Sequence, residues 1–82
     1  MDFAKKIKKE RENLGITQEE LAERTGLSKR SIVAYESQGV IARYKNIVKL
    51  ATALQVAVEY LINDEIQEPI YTWQKGGIVS VW

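Results

Sequence analysis

The chain contains no cysteine and no histidine among its 82 residues. Without cysteine there can be no disulfide framework and no thiolate metal site. Without histidine, the usual general base near neutral pH and the commonest metal ligand are missing. The common nucleophile–base pairs of enzymes therefore cannot be assembled. We expect a protein that is not an enzyme and that holds no metal and no cofactor.

Long hydrophobic runs are absent as well. No apolar stretch approaches the roughly 20 residues that span a bilayer, and the basic N-terminal segment lacks the apolar centre of a signal peptide. We expect a cytoplasmic protein with no membrane partner. Apolar residues make up 45% of the chain and charged residues 28%, which is typical of a globular domain. One small domain of this length would gain stability from an oligomeric partner.

Charge is distributed unevenly, although the net charge is only +1. Residues 1–50 hold eleven of the twelve cations and seven of the eleven anions, a net charge of +4, whereas residues 51–82 carry −3. This polarity suggests an anionic partner on one side of the molecule. Ordinary surface charge explains it equally well.

Residues 17–36 contain two short helical patterns separated by three residues. Thr17 and Glu20 have the spacing of a capping box, and Ser28 is a suitable N-cap for the second helix. Gly26 permits the left-handed backbone that stops a helix sharply. Two helices joined by so short a turn are typical of a helix-turn-helix, whose second helix enters the major groove of DNA.

The first helix, ahead of this motif, places Phe3, Ile7 and Leu14 on one apolar stripe. Its lysines fall mostly off the stripe and are expected on a solvated face, although DNA or a membrane surface could also use them: Lys5, Lys6, Lys8 and Lys9. Arg11 lies on the stripe, and Glu36 lies on the inner side of the second motif helix. Because a buried charge is costly without a partner, we expect these two residues to pair.

Residues 43–54 form a fourth predicted helix and residues 57–63 a short fifth one. The helical period predicts which residues of these two helices face the core: Ile47, Leu50, Ala51 and Leu54 in the fourth helix, and Val58, Leu61 and Ile62 in the fifth. Residues 70–82 are instead rich in β-branched and aromatic residues around a Gly-Gly pair, which predicts a short β-hairpin or strand extension.

We therefore expect a domain over residues 1–65 and a strand-like extension over residues 66–82. Both faces of the predicted hairpin are largely apolar, and an exposed apolar edge invites pairing with a second copy of the chain. The expected homodimer residues are Ile70, Tyr71, Trp73, Ile78, Val79, Val81 and Trp82. The alternatives are that the extension caps its own monomer or docks a different protein.

The segments ITQEELAERTGLSKRSIVAYE and KLATALQVAVEYL resemble the phage-repressor/Xre type of helix-turn-helix domain. The resemblance runs from about Phe3 to Ile62 and implies a mostly α, five-helix, lambda-repressor-like fold. It further implies a transcriptional regulator that binds double-stranded DNA sequence-specifically, as a repressor and homodimer on an inverted-repeat operator. The alternative is an antitoxin or adaptor whose C-terminal extension binds a protein partner by strand addition.

The same resemblance implies roles for individual residues. Gln18 is similar to a glutamine that grips a DNA phosphate and braces the recognition helix, and Lys29, Arg30 and Ala34 match base-facing positions. The DNA-binding set as a whole is Thr17, Gln18, Ser28, Lys29, Arg30, Ser31, Val33, Ala34, Arg43 and Tyr44. Arg11 and Glu36 match a structural pair found in some members.

The loop after Glu36 departs from the family pattern. Gln38 and Ala42 stand where members often have glycine and proline. We expect this loop to follow another path that uses Gly39 for its turn, with Arg43 and Tyr44 as the remaining candidates for phosphate contacts.

Overall fold

The computed structural model describes residues 2–67, which fold into five α-helices and, within that range, no β-strand. The helices are α1 (Phe3–Asn13), α2 (Gln18–Thr25), α3 (Lys29–Ser37), α4 (Tyr44–Leu54) and α5 (Val58–Ile62). The prediction of a mostly α, five-helix domain is confirmed. The predicted β-hairpin, with every residue expected to form the dimer, lies outside the described residues.

Local side-chain chemistry sets the ends of α2 and α3. The Thr17 hydroxyl accepts a hydrogen bond from the Glu20 amide at 3.0 Å, and the Glu20 carboxylate accepts one from the Thr17 amide at 2.8 Å. Gly26 ends α2 with φ +75°, a conformation that glycine adopts without steric cost. The Ser28 hydroxyl then accepts from the Ser31 amide at 3.1 Å. The predicted capping box, the end of α2 at Gly26 and the N-cap of α3 at Ser28 are all confirmed.

The core lies where α1 packs against α3, α4 and α5, while α2 packs against α3 and α4. All four positions predicted to face inward in α4 are buried: Ile47, Leu50, Ala51 and Leu54. Phe3 and Tyr35 join α1 to α3 in an edge-to-face ring contact with centroids 6.1 Å apart, a geometry that aromatic pairs prefer. Ile66, one residue beyond the predicted domain boundary, also packs against this core.

The prediction that Ile62 faces inward is wrong, because its side chain is 51% exposed. Helix α5 has only five residues and buries Tyr60 and Leu61. Since each residue advances about 100° around a helix, a residue two positions after Tyr60 lies on the opposite side.

The buried face of α1 contains two charged residues. Phe3, Lys6, Ile7 and Glu10 form its buried stripe, with the spacing of a helix face that packs on a core. Lys6 is 0% exposed and Glu10 is 2% exposed. The expectation that Lys6 lies on a solvated face is therefore wrong.

Both buried charges of α1 contact Tyr60 in α5. The Lys6 ammonium donates to the backbone carbonyls of Tyr60 at 2.6 Å and of Asn63 at 2.8 Å, and it lies 4.7 Å from the centroid of the Tyr60 ring. The Tyr60 hydroxyl donates to the Glu10 carboxylate at 3.0 Å. Because the last carbonyls of a helix lack donors within it, Lys6 supplies hydrogen-bond donors at the end of α5.

Membrane-spanning helices and metal-binding clusters are both absent from residues 2–67. The longest helices there, α1 and α4, have 11 residues each, whereas a span needs about 20.

Candidate nucleic-acid interface

The N-terminal end of α3 projects from the domain surface. Lys29 and Arg30 are exposed, whereas Ile32 and Tyr35 of the same helix are buried. Ala34, the third residue expected to face bases, is half-buried. The predicted base-facing residues therefore lie on the side of α3 that does not face the core.

A polar cluster, which we call the Glu36 hub, connects α3 to α1 and α2. Nε and Nη2 of Arg11 donate to the two carboxylate oxygens of Glu36 at 2.8 and 3.1 Å, and Nε2 of Gln18 donates to the same carboxylate at 3.1 Å. The remaining Arg11 nitrogen, Nη1, donates to the Ile16 carbonyl at 2.9 Å. The predicted Arg11–Glu36 pair is confirmed, and so is the bracing contact expected of Gln18.

The charged groups of this hub are largely shielded from solvent. The Glu36 side chain is 1% exposed and the Arg11 side chain 12%. The hydrogen bond to Glu36 raises the pKa of the Arg11 guanidinium above its ordinary value, despite the opposing effect of burial. Arg11 therefore stays charged, and its bidentate contact joins α1 to α3 with a defined geometry.

Lys29 is engaged by a partner that the sequence did not indicate. Its ammonium lies 2.8 Å from the Glu19 carboxylate in the first turn of α2. This hydrogen bond lowers the pKa of Glu19. The two residues are ten positions apart on different helices, so no helical period pairs them; only the geometry of the turn between α2 and α3 does.

Thr17 and Ser28 both serve as helix caps, which uses acceptor capacity of their hydroxyls. The Ser28 and Ser31 hydroxyls are also hydrogen-bonded to each other at 3.0 Å. Thr17 and Ser28 are exposed, and Ser31 and Val33 are half-buried. The structure therefore leaves these four residues at the surface around the start of α2 and α3, and their DNA contacts stay predictions.

The loop between α3 and α4 uses Gly39 for its turn, as expected. Gly39 has φ +70°, and Ala42 is buried while Ile41 is 65% exposed. Arg43 is the N-cap residue of α4 and makes no side-chain capping bond. Both Arg43 and Tyr44 are exposed, so each is accessible to a backbone phosphate.

Comparisons with known proteins agree on the fold. Residues 7–61 match the model of a protein family described as helix-turn-helix. The crystal structure of the P22 c2 repressor in complex with a synthetic operator is 27% identical, with a TM-score of 0.73, over 77% of this chain and 96% of the repressor chain. The solution structure of the P22 c2 repressor DNA-binding domain is 25% identical, with a TM-score of 0.74, over 82% of this chain and 88% of that domain.

A curated relative is similar over a comparable span. The uncharacterized HTH-type transcriptional regulator YqaE of Bacillus subtilis (strain 168) is 28% identical over 69 residues, which cover 84% of this chain and 60% of the relative. The chain thus spans less than two thirds of the length of that relative. The matched family segment contains α2, α3 and α4 and most of α1 and α5.

Proposed function

Since the chain belongs to the helix-turn-helix family of the phage-repressor/Xre type, we propose that it is a transcriptional regulator, a repressor that binds double-stranded DNA sequence-specifically. The observation that carries this proposal is the exposed N-terminal end of α3, with Lys29 and Arg30 turned away from the core. In a helix-turn-helix, this end of the second helix meets base edges in the major groove. A similar solved structure, that of the P22 c2 repressor, is a complex with operator DNA.

Arg30 is the residue best suited to read a base. Its planar guanidinium matches the O6 and N7 acceptors of guanine in a bidentate contact. It makes no ion pair or hydrogen bond with residues 2–67 through its side chain, so its donors are available for DNA. Lys29 and Ala34 would contact neighbouring base edges, Ala34 by apolar contact.

The remaining residues of the proposed interface would bind the DNA backbone and set the register of α3. They are Thr17, Gln18, Ser28, Ser31, Val33, Arg43 and Tyr44. The Glu36 hub supports this role indirectly, since a reading helix must be held rigidly by groups whose own positions are locked.

Selection of bound DNA from a pool of random duplexes tests the function. We expect enrichment of an inverted repeat, whose symmetry would report a dimer and whose half-sites would lie about one helical turn apart. Retention of all duplexes without enrichment would contradict sequence-specific reading.

Arg30→Ala is expected to weaken binding to the selected duplex by about 1–3 kcal/mol, because it removes the bidentate base contact. Binding to an unrelated duplex should fall less. Fluorescence titrations of both duplexes measure the difference. Arg24→Ala, which removes an exposed arginine from the last turn of α2, is the control for charge. Equal losses on both duplexes would show that Arg30 contacts a phosphate instead.

Homodimerisation through residues 69–82 is also part of the proposal, and the largely apolar composition of both faces of the predicted hairpin supports it. A chain that ends at Gln67 keeps Ile66 on the core but lacks that segment. We expect it to be a folded monomer with operator affinity lowered about a hundredfold, since the second recognition helix is lost. Sedimentation equilibrium and operator titration measure both. Dimerisation of the shortened chain, or a monomeric full-length chain at micromolar concentration, would contradict it.

A further inference from the structure

The two adjacent cations at the start of α3 differ in their contacts. Lys29 is held by Glu19 at 2.8 Å, whereas the Arg30 side chain makes no ion pair with residues 2–67. Glu20, the neighbour of Glu19, is already used in the capping box. The Glu19 carboxylate is not needed for that cap, and instead it reaches across the turn to α3.

Stability does not account for this contact. The side chains of Lys29 and Glu19 are 53% and 63% exposed. Exposed ion pairs contribute little or nothing measurable to folding, because solvent screens them and both side chains lose conformational freedom. The contact matters mainly for what it does to the availability of Lys29 at the proposed interface.

We propose that Glu19 limits the affinity of this interface for duplex DNA, because its carboxylate binds the Lys29 ammonium in place of a DNA phosphate. This inference rests on the proposed function. A lysine ammonium is a compact point charge that binds any phosphate oxygen, and phosphate contacts carry no direct sequence information. On an unrelated duplex, which offers Lys29 no suitable base edge, an unoccupied Lys29 would therefore add affinity whatever the sequence.

Glu19 counteracts this general attraction. On an unrelated duplex, a phosphate must displace an intramolecular carboxylate that is already in contact, so Lys29 gains little by moving. On the preferred site, Lys29 leaves Glu19 only where its new contact is the better one. Glu19 thereby lowers the affinity of the interface for duplex DNA, because the Glu19–Lys29 contact is lost whenever Lys29 binds DNA.

Salt dependence separates this mechanism from simple repulsion between Glu19 and DNA. Each phosphate neutralised by a cation adds about −0.9 to the slope of log affinity against log salt concentration. Release of Lys29 from Glu19 should add about one such contact on an unrelated duplex. Simple repulsion would act whether or not Lys29 is present.

The experiment compares wild type, Glu19→Gln, Lys29→Gln and the double variant Glu19→Gln/Lys29→Gln. Each is titrated with a mixed-sequence duplex of about two helical turns, at salt concentrations from about 50 to 200 mM. Glu23→Gln is the matched control, because Glu23 is an exposed carboxylate on the same helix and forms no ion pair within residues 2–67.

We expect Glu19→Gln to tighten binding about two- to fivefold and to steepen the slope by about 0.9. In the Lys29→Gln background the same substitution should change neither quantity, and Glu23→Gln should leave the slope unchanged. Equal gains with and without Lys29 would overturn the inference in favour of simple repulsion. No gain in either background would also overturn it. A wild-type chain that binds neither this duplex nor any duplex from the random pool would refute the proposed function, whereas either preceding outcome in a chain that binds duplexes would overturn this inference alone.

Discussion

Glu36→Ala is expected to lower the free energy of unfolding by about 3–5 kcal/mol, the loss typical of a broken buried ion pair. The substitution leaves the Arg11 guanidinium, 12% exposed, with only the Ile16 carbonyl as an acceptor within residues 2–67. Gln18 loses its acceptor as well. Urea denaturation followed by circular dichroism measures the loss.

A double-mutant cycle isolates the contact itself. Arg11→Met removes the opposite partner, and the combined variant should recover part of the stability lost in Glu36→Ala, since no unpaired charge then remains buried. Glu23→Ala, at an exposed position of α2, serves as a control and should change stability by no more than about 0.5 kcal/mol. A coupling energy near zero would mean that the hub does not hold α3.

Lys6→Ala should cost about 2–4 kcal/mol, the second largest effect that we expect. The substitution empties a fully buried site and removes the hydrogen bonds that Lys6 donates to the Tyr60 and Asn63 carbonyls. Helix α5 has only five residues, too few to be stable without tertiary contacts. Relief from burying a charge offsets part of this loss.

Lys8→Ala is the matched control for this prediction. Lys8 lies two positions further along α1 and is exposed, so its loss should change stability by about 0.5 kcal/mol at most. Hydrogen exchange of the α5 amides adds a local measurement, since α5 should lose protection in Lys6→Ala. Equal stability of the two variants would show that the buried ammonium does not hold α5.

Local patterns were enough to predict the helix-turn-helix and the Arg11–Glu36 pair. The capping box and the stop at Gly26 depend on residues within one turn, so the sequence displays them directly. Arg11 and Glu36 could be paired because each interrupts an otherwise apolar face, and two opposite buried charges satisfy each other. The positions of Val40 and Ile41, which are exposed on an irregular loop, had no such signal.

The burial of Lys6 and the contact of Glu19 with Lys29 could not be predicted in the same way. Among four lysines of α1, only Lys6 continues the spacing of Phe3 and Ile7, and a lysine on such a stripe can also extend its stem to water. Its partners lie 54 and 57 residues away, so its burial depends on where α5 ends. The Glu19–Lys29 contact likewise depends on the angle between two helices, which periodicity does not report.

The two sides of α3 have different roles: one side packs against the domain and the other is exposed. Ile32, Tyr35 and Glu36 face the core and the hub, while Lys29 and Arg30 are exposed. Exposed substitutions usually change stability by no more than about 0.5 kcal/mol. If α3 reads DNA, duplicated copies of such a gene can therefore diverge toward new operators through single exposed substitutions, without compensating changes in the core, and evolution of target choice is largely uncoupled from evolution of the fold.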